Sequence, residues 1–290
     1  MAGRIVIISD THLGRPKCAA LSAKALRPIW KDASRLIING DIAEIHHPNH
    51  ADAAGEQVIK LFEYCERDGV ILTLLSGNHD PYISDLRHVH IAEGNIFVTH
   101  GDVLHPAIAP WSPSTPRIRI AYEKAISAVD PEDRDHLISR LSVSRYASAQ
   151  ECQALANAAS QSSIMGMLLR PWAILQVLHY WKVVPRMAAH FTKYHSPEAK
   201  FMIFGHTHRP GIWHFDDMTV INTGSFGFPG RPWAVTIEDR QLSVWRILRR
   251  SDTYCLAETP IRTYELPVRV SSPSALNTRP VSERPSAAVI

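Results

Sequence analysis

Five short motifs hold the residues able to do chemistry in this chain: Asp10-Thr11-His12, Gly40-Asp41, Gly77-Asn78-His79-Asp80, His100-Gly101-Asp102 and Gly205-His206-Thr207-His208. They supply seven oxygen or imidazole donors, Asp10, His12, Asp41, Asn78, His100, His206 and His208, with His79 to spare. Two divalent cations sharing a bridging carboxylate need a set of this size. Each fragment alone is common; the ordered set of five is not. Asp, Asn and His without Cys favour Mn²⁺, with Fe or Zn²⁺ as alternatives, over a structural thiolate zinc site. Two such ions lower the pKa of a water bound between them and clamp the oxygens of an in-line phosphoryl displacement, so no serine or cysteine nucleophile is required. His79, beside Asp80, is then a candidate proton donor to the leaving group, with Asp80 as the carboxylate that orients it.

Spacing along the chain tells which elements must carry these residues. Apolar runs at residues 4–9, 36–38, 70–75, 95–99 and 201–204 each end at one of the motifs and read as buried strands. Residues two apart on a chain leaving a strand project to the same side, which pairs Asp10 with His12 and His206 with His208. Gly40 permits a tight turn that aims Asp41 into a crowded site. Between the early strands lie amphipathic stripes, Leu21, Ala25, Ile29 and Ala33, then Val58, Leu61, Phe62 and Cys65. Strand and helix in alternation mark an α/β fold, with ligands at the carboxyl ends of the strands.

Residues 103–197 break that rhythm and read as a helical insertion, or cap. Pro106, Pro110, Pro113 and Pro116 exclude regular helix at its start. Asp130-Pro131-Glu132-Asp133 has the form of a helix N-terminus, and Ser148 with Glu151 that of a capping box. Residues 163–191 form a third helical pattern, in which Pro171 and Pro185 argue against one long straight helix. It has three readings: core packing against the main domain, a lid over an apolar substrate group, or an interfacial helix with Arg170, Lys182 and Arg186 flanking Trp172 and Trp181. A dimer contact is a fourth. Beyond the last motif, residues 219–222, 233–238 and 242–248 read as a strand meander closing a second sheet, with Asp239-Arg240 as a turn. Residues 266–290 are Ser- and Pro-rich and read as a disordered tail, which leaves 1–265 as the folded domain.

The motifs resemble those of the calcineurin-like metallophosphoesterase superfamily, D-x-H, G-D, G-N-H-[DE], H and G-H-x-H, over roughly residues 4–102 and 200–248. The resemblance implies a four-layer α-β-β-α sandwich, here with the helical cap inserted. It also implies that Asp10, His12 and His208 hold one metal, Asn78, His100 and His206 the other, and Asp41 bridges. The activity implied is hydrolysis of a phosphoester or phosphoanhydride bond by a metal-bridging hydroxide. One branch, the UDP-2,3-diacylglucosamine pyrophosphatases, is similar in its helical insertion, in His100-Gly101-Asp102 and in Asn222-Thr223-Gly224-Ser225. That branch usually has Arg where this chain has His79, so it stands as an alternative. A scaffold that keeps the fold without turnover is another, and it typically has lost motif residues that this chain retains.

Other residues have blander readings. His46, His47 and His50 fit a solvated loop, since the two ions already have ligands. Asp102 would support a ligating histidine; His105 is either a substrate contact or a structural histidine. Arg209 and Arg231 are candidates to hold a substrate phosphate.

Composition limits the remaining classes. A net charge of +3, with no stretch concentrating Lys and Arg among aromatics, argues against nucleic acid; the partner expected from the motifs is a small phosphorylated substrate. The four cysteines form no Cys-x-x-Cys pair, which fits a reducing compartment. No uncharged apolar stretch approaches a membrane span, so the expectation is a cytoplasmic protein, with peripheral membrane contact through the cap left open.

Overall fold

The computed structural model describes residues 3–16, 19–110, 112, 114–157, 171–227 and 230–267. The expected tail beyond Pro267, and residues 163–170 of the third helical pattern with Arg170, lie outside them. Every apolar run that leads into a motif is a strand: β1 (Ile5–Ile8), β2 (Arg35–Asn39), β3 (Ile71–Leu75), β5 (Ile96–Thr99) and β6 (Phe201–Phe204). The strands β4 (His88–Ile91), β7 (Gly211–Phe215), β8 (Met218–Asn222), β9 (Trp233–Glu238), β10 (Gln241–Arg250), β11 (Thr253–Leu256) and β12 (Arg262–Glu265) complete two sheets. The first has the order β11-β10-β9-β1-β2-β3, with β12 also on β10, and the second β4-β5-β6-β8-β7.

Alternation along each central strand explains the layering. Val6 and Ile8 pack with Leu36 and Ile38 against Ala23 and Leu26 of α1 (Ala23–Leu26) and Leu61 and Cys65 of α2 (Ala51–Asp68). Ile7 and Ile37 point the other way, onto Ile96, Val98, Ile203 and Ile221 of the second sheet. That sheet's outer face, with Phe97, Met202 and Phe204, is covered by Tyr180, Val184 and Ala188 of α5 (Pro171–His195). Each buried Val, Leu, Ile, Phe or Met side chain among these contributes roughly 1.5–3 kcal/mol, and together the layers make the four-layer α-β-β-α sandwich. α2 ends where Gly69 takes a left-handed φ of 69° and its N–H caps the last turn.

Several local expectations are corrected. The stripe from Leu21 to Ala33 is helical only over Ala23–Leu26, followed by a 3₁₀ turn containing Pro28, with Leu21 outside it and exposed. Pro116 sits in the first turn of α3 (Thr115–Ser127), where a missing N–H costs nothing. Pro131 lies in a turn, and α4 (Leu137–Asn157) starts six residues later. Ser148 is inside α4, bonding back to the Ser144 carbonyl, so it caps nothing. α5 runs through Pro185, carried by packing of the residues around it. The described residues of the segment 103–197 thus form two parts: α3 and α4 pack on each other through Ile118, Tyr122, Val143 and Ala147, while α5 is a layer of the sandwich.

The expected meander splits between sheets. β8 joins the second sheet parallel to β6, whereas β9 and β10 enter the first through an antiparallel pairing of β9 with β1. Parallel pairing aligns β8 with β6, the strand that leads into the last motif, and the loop after Asn222 carries the chain across. Leu266, expected to begin the tail, is buried in the inter-sheet core.

Candidate metal centre

Parallel pairing of β1 with β2, of β2 with β3 and of β5 with β6 puts their carboxyl ends at one edge of the sandwich. The seven donors meet there. Backbone bonds continue the β1–β2 pairing past the strands, Asp10 N–H to the Gly40 carbonyl at 3.1 Å and His12 N–H to Asp41 at 2.9 Å. Asn39 links the sheets by donating to Thr99 at 2.9 Å, and Gly205 donates to the His100 carbonyl at 2.9 Å.

Local backbone geometry is unusual. Asp10, His12, Asp41, His206 and His208 all have φ between 45° and 63°, the left-handed region. For residues with a Cβ this costs about 1–2 kcal/mol each, which the surrounding packing must offset. The motif glycines serve space as much as conformation. A Cβ on Gly40 would overlap the His100 imidazole, one on Gly77 the Asp41 carboxylate, and one on Gly205 the side chains of Asp10 and Ser9.

The donors form two groups that share Asp41. In one, Asp10, His12, Asp41 and His208 present atoms within 4.8 Å of one another; in the other, Asp41, His100 and His206 do so. Asn78 belongs to the second, its Oδ1 lying 3.2 Å from His100 Nε2 and 2.8 Å from His206 Nδ1. Asp41 Oδ2 is 3.3 Å from His100 Nε2 and 3.8 Å from His12 Nε2. The ring nitrogens His12 Nε2 and His208 Nε2 face each other at 3.2 Å, with Asp10 Oδ1 3.3 Å from the latter. Facing imidazole nitrogens ringed by carboxylates, with no thiolate among them, fit divalent cations. The outer nitrogens are also held: His12 Nδ1 by Glu44 at 3.0 Å, His100 Nδ1 by the Asn39 carbonyl at 2.9 Å, His206 Nε2 by the Ile108 carbonyl at 3.0 Å.

Electrostatics follow from burial and these partners. Burial opposes charge on His79, but the carboxylates of Glu44 and Asp41 outweigh it and push its pKa up to about 10. His100 is likewise desolvated and likewise held at about 10, by Asp41. His206 falls to about 4 because burial and the His100 charge act together.

Two expected roles change. Asp80 does not orient His79. Its carboxylate accepts backbone N–H groups of Gly77, Asp41, Ile42 and Ala43, tying the loop after β3 to the loop after β2. His79 Nδ1 instead faces Glu44 Oε2 at 3.3 Å, and Glu44 bridges it to His12. Asp102 does not touch His100 either; it pairs with Arg87 at 2.6 Å. Glu44 and Arg87 escaped the sequence reading, Glu44 although it stands only three residues after Asp41. A third group of donors, His12, Glu44 and His79, reuses His12 and is this carboxylate bridge.

Of the remaining candidates, His47 and His50 stack on each other at 4.2 Å, and neither they nor His46 join a metal-ligating group among the described residues. His105 Nδ1 accepts the Ala107 N–H, a structural role. Arg209 lies over the Trp181 ring and donates to its carbonyl, and Arg231 is exposed. Trp181 donates to the Thr207 carbonyl at 2.9 Å, which joins α5 to the last ligand loop. Among the described residues no helix is long and apolar enough to cross a membrane.

Comparison with known proteins yields low identities over nearly the whole chain. Vps29 from Chaetomium thermophilum is 13% identical, with 93% of this chain and 99% of that one covered and a TM-score of 0.41. A dimetal phosphatase from Danio rerio is 14% identical, with 84% and 96% covered and a TM-score of 0.45. A predicted phosphoesterase from Streptococcus pneumoniae is 15% identical, with 91% and 99% covered and a TM-score of 0.39. No curated protein matches. The sequence model described as calcineurin-like phosphoesterase matches residues 3–210, more than half of the chain and all five motifs, and the chain belongs to that family.

Proposed function

We propose that this protein is a hydrolase of phosphoester or phosphoanhydride bonds that works with two divalent cations, Mn²⁺ first among them. The observation that carries the reading is the pair of donor groups sharing Asp41, with His79 beside them at the surface. Bound cations would supply a water of lowered pKa and neutralise phosphate oxygens. Asp10, His12 and His208 would hold one, Asn78, His100 and His206 the other. His208 and His79 are the site's most open side chains, 36% and 34% exposed, so the phosphoryl group enters on their side. His79, fixed by Glu44, delivers a proton to the departing oxygen. A protein nucleophile has no part in this scheme. The neighbouring Cys152, whose Sγ is 3.5 Å from the Asn78 carbonyl, has its thiol pushed well up by burial, which keeps it from acting as a thiolate.

The test is hydrolysis of bis-p-nitrophenyl phosphate against p-nitrophenyl phosphate, with Mn²⁺ and with chelator. Chelator-sensitive turnover of either supports the reading; a purified protein that binds metal and turns over neither favours the scaffold. One observation favours a second, narrower reading, a nucleotide-linked lipid as in UDP-2,3-diacylglucosamine pyrophosphatases. Trp172, Leu175 and Leu178, three residues apart on the first turns of α5, are exposed at 76%, 55% and 52% and could hold an apolar group. Preference for the monoester would count against it.

A further inference from the structure

The loop carrying Asn78, His79 and Asp80 leaves β3 at Ser76 and returns at Leu86, where the Ser76 N–H donates to the Leu86 carbonyl at 2.9 Å. Arg87 follows and reaches back across the base of this loop. Its Nη1 donates to the carbonyls of Ser76 at 3.1 Å and Gly77 at 3.3 Å, the two residues before Asn78. Its Nη2 donates to Asp102 Oδ2 at 2.6 Å, two residues after His100. The same oxygen accepts Ser144 Oγ of α4 at 2.8 Å. The backbone carbonyl of Arg87 in turn accepts the hydroxyl of Thr99, next to His100, at 2.9 Å. Arg87, Asp102 and Ser144 are all buried.

Stability alone is a poor reason for such a cluster, since a buried ion pair can often be replaced by apolar packing without loss. Its geometry suggests another reason. A planar guanidinium presents donors at fixed angles, so one side chain sets two carbonyls and a carboxylate in a single relation. Those three acceptors belong to the loops of Asn78 and His100, two of the three donors on the buried side of the centre. Asn78 is the one donor of the seven with neither charge nor imidazole. Its ligation therefore depends most on how its backbone is placed.

We propose that Arg87 is a positioning residue for the Asn78–His100–His206 site, with Asp102 as its counter-ion and Ser144 as the latch through which the inserted helices reach the centre. The proposal rests on the two-cation reading above.

The experiment is titration of metal-free wild type, Arg87→Met, Arg87→Lys and Asp102→Asn with Mn²⁺, following free Mn²⁺ by EPR. Thermal midpoints are recorded with and without the metal. Wild type should bind two equivalents. Arg87→Met should weaken one of them about 10–100-fold, the range typical when an outer partner of a ligand is lost, and leave the other unchanged. It should also shrink the rise in thermal midpoint that Mn²⁺ causes. Arg87→Lys, with the charge but not the fork, should recover part of that loss, and Asp102→Asn should fall between. If Arg87→Met does not fold, Arg87→Lys and Ser144→Ala must still weaken the same equivalent. Two equivalents bound as in wild type, with only the metal-free midpoint lowered, would show a merely structural role and overturn the proposal. Fewer than two equivalents in the wild type would overturn the two-cation reading itself, and would be seen before any variant is compared.

Discussion

The two donor groups differ in how they are enclosed. Asp10 and His12 are buried, but His208 is 36% exposed, so their group opens to solvent. Asn78, His100 and His206 are all buried. The outer partners differ too. His12 is backed by the Glu44 carboxylate, whereas His100 and His206 are backed by the neutral carbonyls of Asn39 and Ile108. A carboxylate raises the basicity of the ligand it holds; a carbonyl chiefly fixes ring and tautomer. On the proposed function, the contrast would give the open group substrate traffic and the enclosed group the holding of its ion.

The sharpest break of this comparison is Asp41→Asn, because Asp41 is the residue both groups use. Turnover should vanish and bound Mn²⁺ should fall on both sides; elemental analysis with an assay of the purified variant reads both. An active Asp41→Asn protein would end the shared-carboxylate assignment. Next, His206→Ala and His208→Ala should part company. The first should lose one ion at micromolar Mn²⁺, by at least the roughly 100-fold that loss of an outer partner can cost. The second, on the open side where water can replace the ring, should regain activity as Mn²⁺ is raised. Equal behaviour would erase the distinction.

His79→Ala is expected to keep both ions and lose about 10²–10⁴-fold in turnover. The loss should be greatest for substrates with poor leaving groups, so a series of substituted phenyl esters tests it; a uniform loss would reassign His79 to binding. Glu44→Gln should have the smallest effect. Weakening of the open-side ion by about 10–100-fold, with the enclosed ion untouched, is the outcome to look for in the same Mn²⁺ titration.

How much of this was legible in the chain depends on the range of the interaction. The strands that lead into motifs and the donor types follow from short-range pattern, and the structure gathers all seven donors. The expected alternation within Asp10/His12 and His206/His208 does not hold: all four have a left-handed backbone, and His206 and His208 join different donor groups. Errors cluster where a local signal has two solutions. Asp130-Pro131 suits a helix start or a turn, and Ser148 suits a cap or a helix interior. The choice between them is made by what α3 and α4 pack against. Strand order is likewise not local: residues 218–222 and 233–238 look alike in sequence, yet one pairs with β6 and the other with β1.

By itself the sequence determined which residue types stand at strand ends, and hence a donor set suited to divalent cations, because side-chain period and donor identity are properties of neighbouring residues. Only the tertiary structure decided which donors face one another. It put Glu44 rather than Asp80 beside His79, turned Asp102 from His100 to Arg87, and held Asp10, His12, Asp41, His206 and His208 in a left-handed backbone. Those outcomes depend on contacts between residues from 15 to 196 positions apart, and on packing that outweighs local conformational preference.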